Sequence, residues 1–204
     1  MTTRRHLLLG LAALPALPLA AQEVARAEAP AAHPDDAPAS PLVPEPVLVP
    51  LAPGIPAGEI HVVPDVFSLY WTLPDGVAIR YKVGIGRAGL YEPGAFFVGA
   101  KKEWPSWTPT PEMVARRPDL YAQYAETGMP GGPGNPLGAR ALYLFTEERG
   151  DTFLRIHGTD APETIGQAVS NGCARLVNDQ IIELYARVPM GARVFLHPPS
   201  ILAL

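Results

Sequence analysis

The sequence predicts a mainly β domain, on three observations. Short runs rich in β-branched and aromatic residues recur from residue 60 onward, with partial alternation of apolar and polar positions. Pro-Asp and Pro-Asp-Gly turns separate the first of these runs. Only two segments carry helical signals, one inside a long insertion and one near the end. The 204 residues suffice for one domain with a proper core and leave no length for a second.

Taken in order, Met1-Thr2-Thr3-Arg4-Arg5-His6 leads into an apolar stretch to Ala21 that is too short to span a bilayer. It reads as a cleavable export signal over residues 1–27. The Thr-Arg-Arg-His-Leu-Leu order matches the twin-arginine type, and Ala25-Arg26-Ala27 supplies small residues for cleavage. Ordinary secretion is the alternative. Either route predicts a periplasmic protein with no transmembrane anchor in the mature chain. Cleavage removes three of the 16 basic and one of the 20 acidic residues, leaving a net charge of about −6, which argues against a nucleic-acid partner.

Residues 28–57 are dominated by Pro and Ala, with Pro30, Pro34, Pro38, Pro41, Pro44, Pro46, Pro50, Pro53 and Pro56. So many missing donors and fixed φ angles predict an extended, polyproline-like, disordered tether. A catalytic domain is expected over 58–199.

Within it, 60–63, 66–71 and 77–83 read as a β-meander, with Pro64-Asp65 and Pro74-Asp75-Gly76 as its turns. Gly84-Ile85-Gly86-Arg87-Ala88-Gly89 breaks the pattern; it lacks the helix and the Lys-Ser pair of a phosphate loop. Further strands are predicted at 95–98, 141–145, 152–157 and 193–196. Between Lys101 and Pro136 lies a lid-like insertion with Trp104 and Trp107, and with a short helix capped by Thr110 and opened by Pro111. The two tryptophans either anchor this loop on the core or line a groove. The late helix is expected to start at Asn178 as cap, with Ile181, Ile182, Tyr185 and Val188 on its apolar face, and to stop at Pro189.

Cys173 is the only cysteine, so it forms no internal disulfide. In an exported protein an idle exposed thiol is a liability, and Ser170-Asn171-Gly172-Cys173-Ala174-Arg175 places this one in a tight turn; it is a nucleophile or an inert buried thiol. Nucleophilic attack requires the thiolate and hence a base or a positive charge nearby. His6 and His33 lie in the signal and tether, and His197 near the end, which leaves His61 and His157. His157 closes an apolar strand just before Gly158 and is the stronger candidate. The amides of Gly172 and Cys173 offer an oxyanion hole. Arg175 binds a substrate carboxylate, holds the thiolate, or pins the loop; Ser170 suits a turn-forming hydrogen bond.

The combination His157-Gly158-Thr159 followed by Ser170-Asn171-Gly172-Cys173-Ala174-Arg175-Leu176 resembles the signature of the L,D-transpeptidase (YkuD-type) catalytic domain family. Pro93-Gly94-Ala95-Phe96-Phe97-Val98, Lys102 to Pro109, and Gly131 to Leu144 are similar to three further segments of that family, the last to its Gly-Gly-x-x-Asn-Pro-Leu-Gly segment. The resemblance covers roughly 60–197. It implies a β-sandwich-like fold with a few short helices, acting without metal or cofactor on peptidoglycan stem peptides. It also implies that Cys173 attacks the carbonyl at the L-centre of the diamino acid and releases terminal D-alanine. The acyl group then passes to an amine on a second stem. His157 is the implied base, oriented by the Gly158 carbonyl, with Arg175, Ser170 and Asn171 facing substrate; carbapenems are implied inhibitors. Two positions depart: many members carry histidine where Asn171 stands, and threonine where Glu92 stands. Hydrolysis of the same acyl-enzyme, giving a carboxypeptidase, and a non-catalytic wall-binding module are the alternatives.

Overall fold

The computed structural model describes residues 43–200. The export signal and residues 28–42 of the expected tether lie outside the described residues.

The strands are β1 (Val47–Pro50), β2 (Glu59–Val63), β3 (Ser68–Leu73), β4 (Val77–Lys82), β5 (Ile85–Gly86), β6 (Gly94–Glu103), β7 (Arg140–Thr146), β8 (Gly150–His157), β9 (Ala168–Ser170), β10 (Ala174–Arg175) and β11 (Arg193–Leu196). The helices are α1 (Pro111–Arg116), α2 (Pro118–Tyr121) and α3 (Asn178–Arg187). Nine strands form one sheet in the order β1-β4-β3-β2-β11-β6-β7-β8-β10, and β5 pairs with β9 in a small second sheet.

The predicted meander is present as β2, β3 and β4, paired antiparallel. Its second turn has Asp75 at φ 65° and Gly76 at φ 69°, the two consecutive left-handed residues that a tight hairpin with right-handed strand twist requires. The last strand, β11, inserts in the middle of the sheet, parallel to β2 and antiparallel to β6. Alternation then sends Ile60, Val62, Leu69, Val98, Leu142, Leu144, Ile156 and Val194 into one shared core, where each is fully buried. Both halves of the sheet thus close over the same hydrocarbon interior. The register of β6 against β7 slips between Val98 and Ala100, and a Cβ at Gly99 would lie 2.3 Å from the Phe145 ring, so that bulge needs a glycine.

Three expectations are corrected. Residues 47–50, assigned to the tether, form β1, which pairs antiparallel with β4 at the sheet edge. An edge strand needs donors on one side only, so proline at its ends is tolerated there. Asn178 does not cap α3, because its Oδ1 accepts instead from the Ala139 amide at 2.9 Å. The buried face of α3 is Gln180, Ile181 and Leu184, continued by Val188, whereas Ile182 and Tyr185 are only partly buried. The end of this helix is closed by Lys101, which donates to the carbonyls of Tyr185 (2.6 Å) and Val188 (2.7 Å), a cation placed where the orphan carbonyls and the helix dipole favour one.

The insertion is ordered by its own contacts. Thr110 accepts from the Met113 amide at 3.3 Å with Pro111 opening α1, as expected. Trp107 exchanges backbone hydrogen bonds with Met129 and presents its ring to the edges of Tyr121 and Tyr124. Buried Asn135 donates to the carbonyls of Met129 and Pro130 and accepts from the Leu137 amide.

Candidate active site

Along β8, Leu154 and Ile156 point into the core, which leaves Arg155 and His157 on the opposite face. Strand β10 pairs parallel to β8 with Ala174 beside Ile156 and Arg175 beside His157. Cys173, one step before β10, therefore shares the face of Arg155, His157 and Arg175. Sequence pattern placed a thiol, an imidazole and a guanidinium together; ladder register is what turns all three the same way.

His157 is buried, and its Nδ1–H donates to the Gly158 carbonyl at 2.6 Å, which leaves Nε2 as the basic nitrogen. Burial is the main influence holding its pKa down, to about 3. The Gly158 carbonyl opposes it and the Arg175 and Arg155 charges add to it, while the Leu137 carbonyl also favours the charged ring. The imidazole is neutral at pH 7. Gly158 is confined: a Cβ there would lie 2.3 Å from Asn178 Oδ1 and 3.0 Å from the Ala139 nitrogen, and the facing Gly138 has φ +62°.

Cys173 is partly buried. Burial pushes its thiol above the ordinary value, opposed by a hydrogen bond from the Arg155 backbone amide and by the Arg155 and Arg175 charges. Among the described residues no hydrogen bond joins the thiol to the His157 ring. The two groups nevertheless line one cavity of about 570 Å³.

The loop carrying the thiol is held from both sides. Ser170 Oγ donates to the Cys173 carbonyl at 2.7 Å and accepts from the Gly172 amide at 3.3 Å, the turn-forming part expected of it. The Gly172 amide is thereby engaged, while the Cys173 amide makes no hydrogen bond to a described residue. Gly172 has φ +124°, and a Cβ there would lie 2.9 Å from the Leu90 carbonyl oxygen. On the outer side, Gly84 exchanges two backbone hydrogen bonds with Arg175, Arg87 donates to the Ser170 carbonyl, and Gly86 packs directly on Gly172. The glycine-rich segment 84–89 is thus the backbone cradle of the cysteine loop.

Arg175 is partly buried, with Nε and Nη2 lacking hydrogen-bond partners; Asp160 and Glu163 act on it only at range. Arg155 donates to both carboxylate oxygens of Asp151 and lies 3.9 Å over the Tyr143 ring. Asn171 Oδ1 accepts from Arg87 (2.9 Å) and from Arg116 (3.1 Å), and its amide nitrogen reaches the Tyr121 hydroxyl at 3.4 Å. Asn171 therefore ties the insertion to the cysteine loop. Sequence reasoning missed Arg87, Arg116, Tyr121 and Arg155, since nothing in their linear spacing brings them to position 171 or 173. Trp107 lines the same cavity, so the ring that anchors the insertion also faces the groove. His61, the weaker candidate base, lies on the far part of the sheet, against His197 at 3.0 Å and Glu59 at 3.3 Å, and does not line this cavity.

The model of the L,D-transpeptidase catalytic domain family matches residues 58–196. Probable L,D-transpeptidase ErfK/SrfK of Escherichia coli (strain K12) is 40% identical over 135 residues, which span 62% of this chain and 39% of that protein. A probable carnitine operon oxidoreductase, CaiA, from Brucella melitensis has a crystal structure 41% identical to this chain, with TM-score 0.52 over 78% of this chain and 93% of its own. The L,D-transpeptidase from Mycobacterium smegmatis, 15% identical with TM-score 0.51 over 68% of this chain and 58% of its own, shares the fold.

Proposed function

The chain belongs to the L,D-transpeptidase catalytic domain family, and we propose that it cross-links peptidoglycan stem peptides through a cysteine acyl-enzyme. The observation that carries this reading is the β8–β10 register, which puts Cys173 and His157 on one face of one cavity. The oxidoreductase name of the Brucella neighbour is not carried over, because a thiol, a neutral imidazole and guanidinium groups in one cavity suit acyl transfer.

At rest the pair is thiol and imidazole, not thiolate and imidazolium, since burial depresses one pKa and raises the other. Substrate binding must draw the two groups into contact, as apo sites commonly tighten on forming their complexes. The Cys173 sulfur then bonds to the carbonyl carbon while His157 Nε2 takes the thiol proton. The Gly158 carbonyl stabilises the imidazolium through Nδ1–H. The Cys173 amide faces the developing oxyanion, and Gly172 joins it by releasing Ser170. Collapse of the tetrahedral adduct breaks the peptide bond, His157 returns the proton to the departing D-alanine amine, and a thioester remains. An amine of a second stem attacks it, its proton passes to His157, and the thiol is restored. Arg175, with two unpartnered nitrogens, suits a substrate carboxylate. The Thr3-Arg4-Arg5-His6 start supports export, which sets this chemistry in the periplasm.

Incubation with purified stem tetrapeptides, with products resolved by mass, tests the reading. Dimers lacking one D-alanine are expected, with a carbapenem adduct of intact mass on Cys173. Trimmed monomers alone would make it a carboxypeptidase, and no adduct and no turnover would leave a wall-binding module.

A further inference from the structure

The cavity is lined by four arginines, Arg87, Arg116, Arg155 and Arg175, against two carboxylates, Glu92 and Asp160. This excess of positive charge belongs to a chain whose net charge is −4. Internal partners do not share it evenly. Arg155 is neutralised by Asp151, Glu92 is taken by Arg149, and Asp160 acts on Arg175. Arg87 and Arg116 form no ion pair among the described residues. Glu112, one turn before Arg116, feels that charge only weakly and is occupied by Thr110 and its own backbone.

Both guanidinium groups nevertheless donate to one neutral oxygen, Asn171 Oδ1. Two bonds of that length hold the donor nitrogens within roughly 6 Å of each other, where like charges repel even in water. An amide dipole offsets only part of that repulsion. A carboxylate accepts from both forks and cancels a full charge, so it competes well for these donors. The three residues come from three places: Arg87 follows β5, Arg116 ends α1 of the insertion, and Asn171 sits two positions before Cys173. An anion on this pair therefore lies beside the thiol and bridges the insertion to the body.

We propose that Arg87 and Arg116, gathered on Asn171, form a carboxylate-binding cradle that selects stem peptides with a free carboxylate over the same stems carrying a carboxamide. The proposal rests on the transpeptidase reading and adds a substrate preference to it. The cradle is solvent-exposed, so its contribution falls with ionic strength.

The test uses the full chain and a set of stem tetrapeptides in which each carboxyl group is amidated in turn. Initial rates are read by mass for the native protein, Arg87→Gln, Arg116→Gln, the double variant and Arg116→Lys, with thermal melts to check folding. One amidation should lower kcat/KM about tenfold in the native protein, chiefly through KM. That ratio should fall toward one in the double variant and on raising KCl from about 0.05 to about 0.5 M, and Arg116→Lys should keep part of it. Equal kcat/KM for every stem, or a double variant that folds and keeps every amidation ratio of the native protein, would overturn the cradle and leave the transpeptidase reading intact. Absence of product from all stems would instead overturn that reading, and the cradle with it.

Discussion

Ser170 Oγ donates to the Cys173 carbonyl at 2.7 Å, closing the turn that carries the thiol, and the same oxygen accepts from the Gly172 amide. One hydroxyl thereby fixes two of the three residues that surround the sulfur. In Ser170→Ala both bonds are lost from a buried position, which costs on the order of 1–3 kcal/mol of stability. The loop then samples geometries that misplace the sulfur, and a misplacement of about 1 Å lowers rates by up to about a hundredfold. Thermal melts and the rate of carbapenem acylation measure the two effects separately. A variant that acylates at the native rate would reduce Ser170 to a stability element.

The thiol should be slow toward simple reagents at neutral pH. Burial raises the Cys173 pKa, and the charges of Arg155 and Arg175 only partly oppose it. Alkylation by iodoacetamide should therefore climb about tenfold per pH unit between about pH 7 and 8 and still be rising at about pH 9, because the thiolate fraction grows in this way below the pKa. A plateau near pH 7 would mean a preformed thiolate–imidazolium pair, contrary to a neutral His157.

His157 also links stability to pH. Its folded pKa, about 3, lies below its ordinary value of about 6.5, so between those limits the unfolded chain binds a proton that the folded chain refuses. Stability is full above about pH 6.5 and falls as pH drops, by up to about 1.4 kcal/mol per unit from this residue. The shift of His61 is in the same direction and adds to the slope. Urea midpoints at pH 7, 6 and 5 should fall in sequence for the native protein and less steeply for His157→Gln. Parallel slopes would show that the imidazole is not protected from protons.

Much of this molecule could be read from its sequence, and the failures have physical causes. The strands of the meander and β7, β8 and β11 carry their own alternation, and turns such as Asp75-Gly76 punctuate them. Strands β5, β9 and β10 are two or three residues long and exist only because a distant segment pairs with them, so no local periodicity announces them. Residues 47–50 do not read as a strand because proline content masks one that needs only one bonded edge. At the site, Cys173, His157 and Arg175 announce themselves by spacing, whereas Arg87 and Arg116 reach Asn171 across 84 and 55 residues of chain. Charge that is assembled by folding leaves no linear pattern.

Asn178 illustrates the same limit and yields a double-mutant test. Its position before a helical segment suggests a cap, but its Oδ1 spans to the Ala139 amide and thereby fills the space above Gly158. Gly158→Ala places a methyl 2.3 Å from that oxygen and 3.0 Å from the Ala139 nitrogen, so the strand end carrying His157 must shift. The cost should be roughly 1–3 kcal/mol of overpacking, with loss of activity. Asn178→Ala instead opens the space and strands the Ala139 amide, which costs about 1–3 kcal/mol. The amide is stranded in either background carrying Asn178→Ala, but the closest clash exists only while Asn178 is present. Gly158→Ala should therefore cost less stability in the Asn178→Ala background than in the native one, by at least about 0.5 kcal/mol, the smallest coupling expected of residues in contact. Denaturant titrations of the four proteins give the coupling directly. Strict additivity would mean that Asn178 and Gly158 act on the His157 strand end through separate contacts.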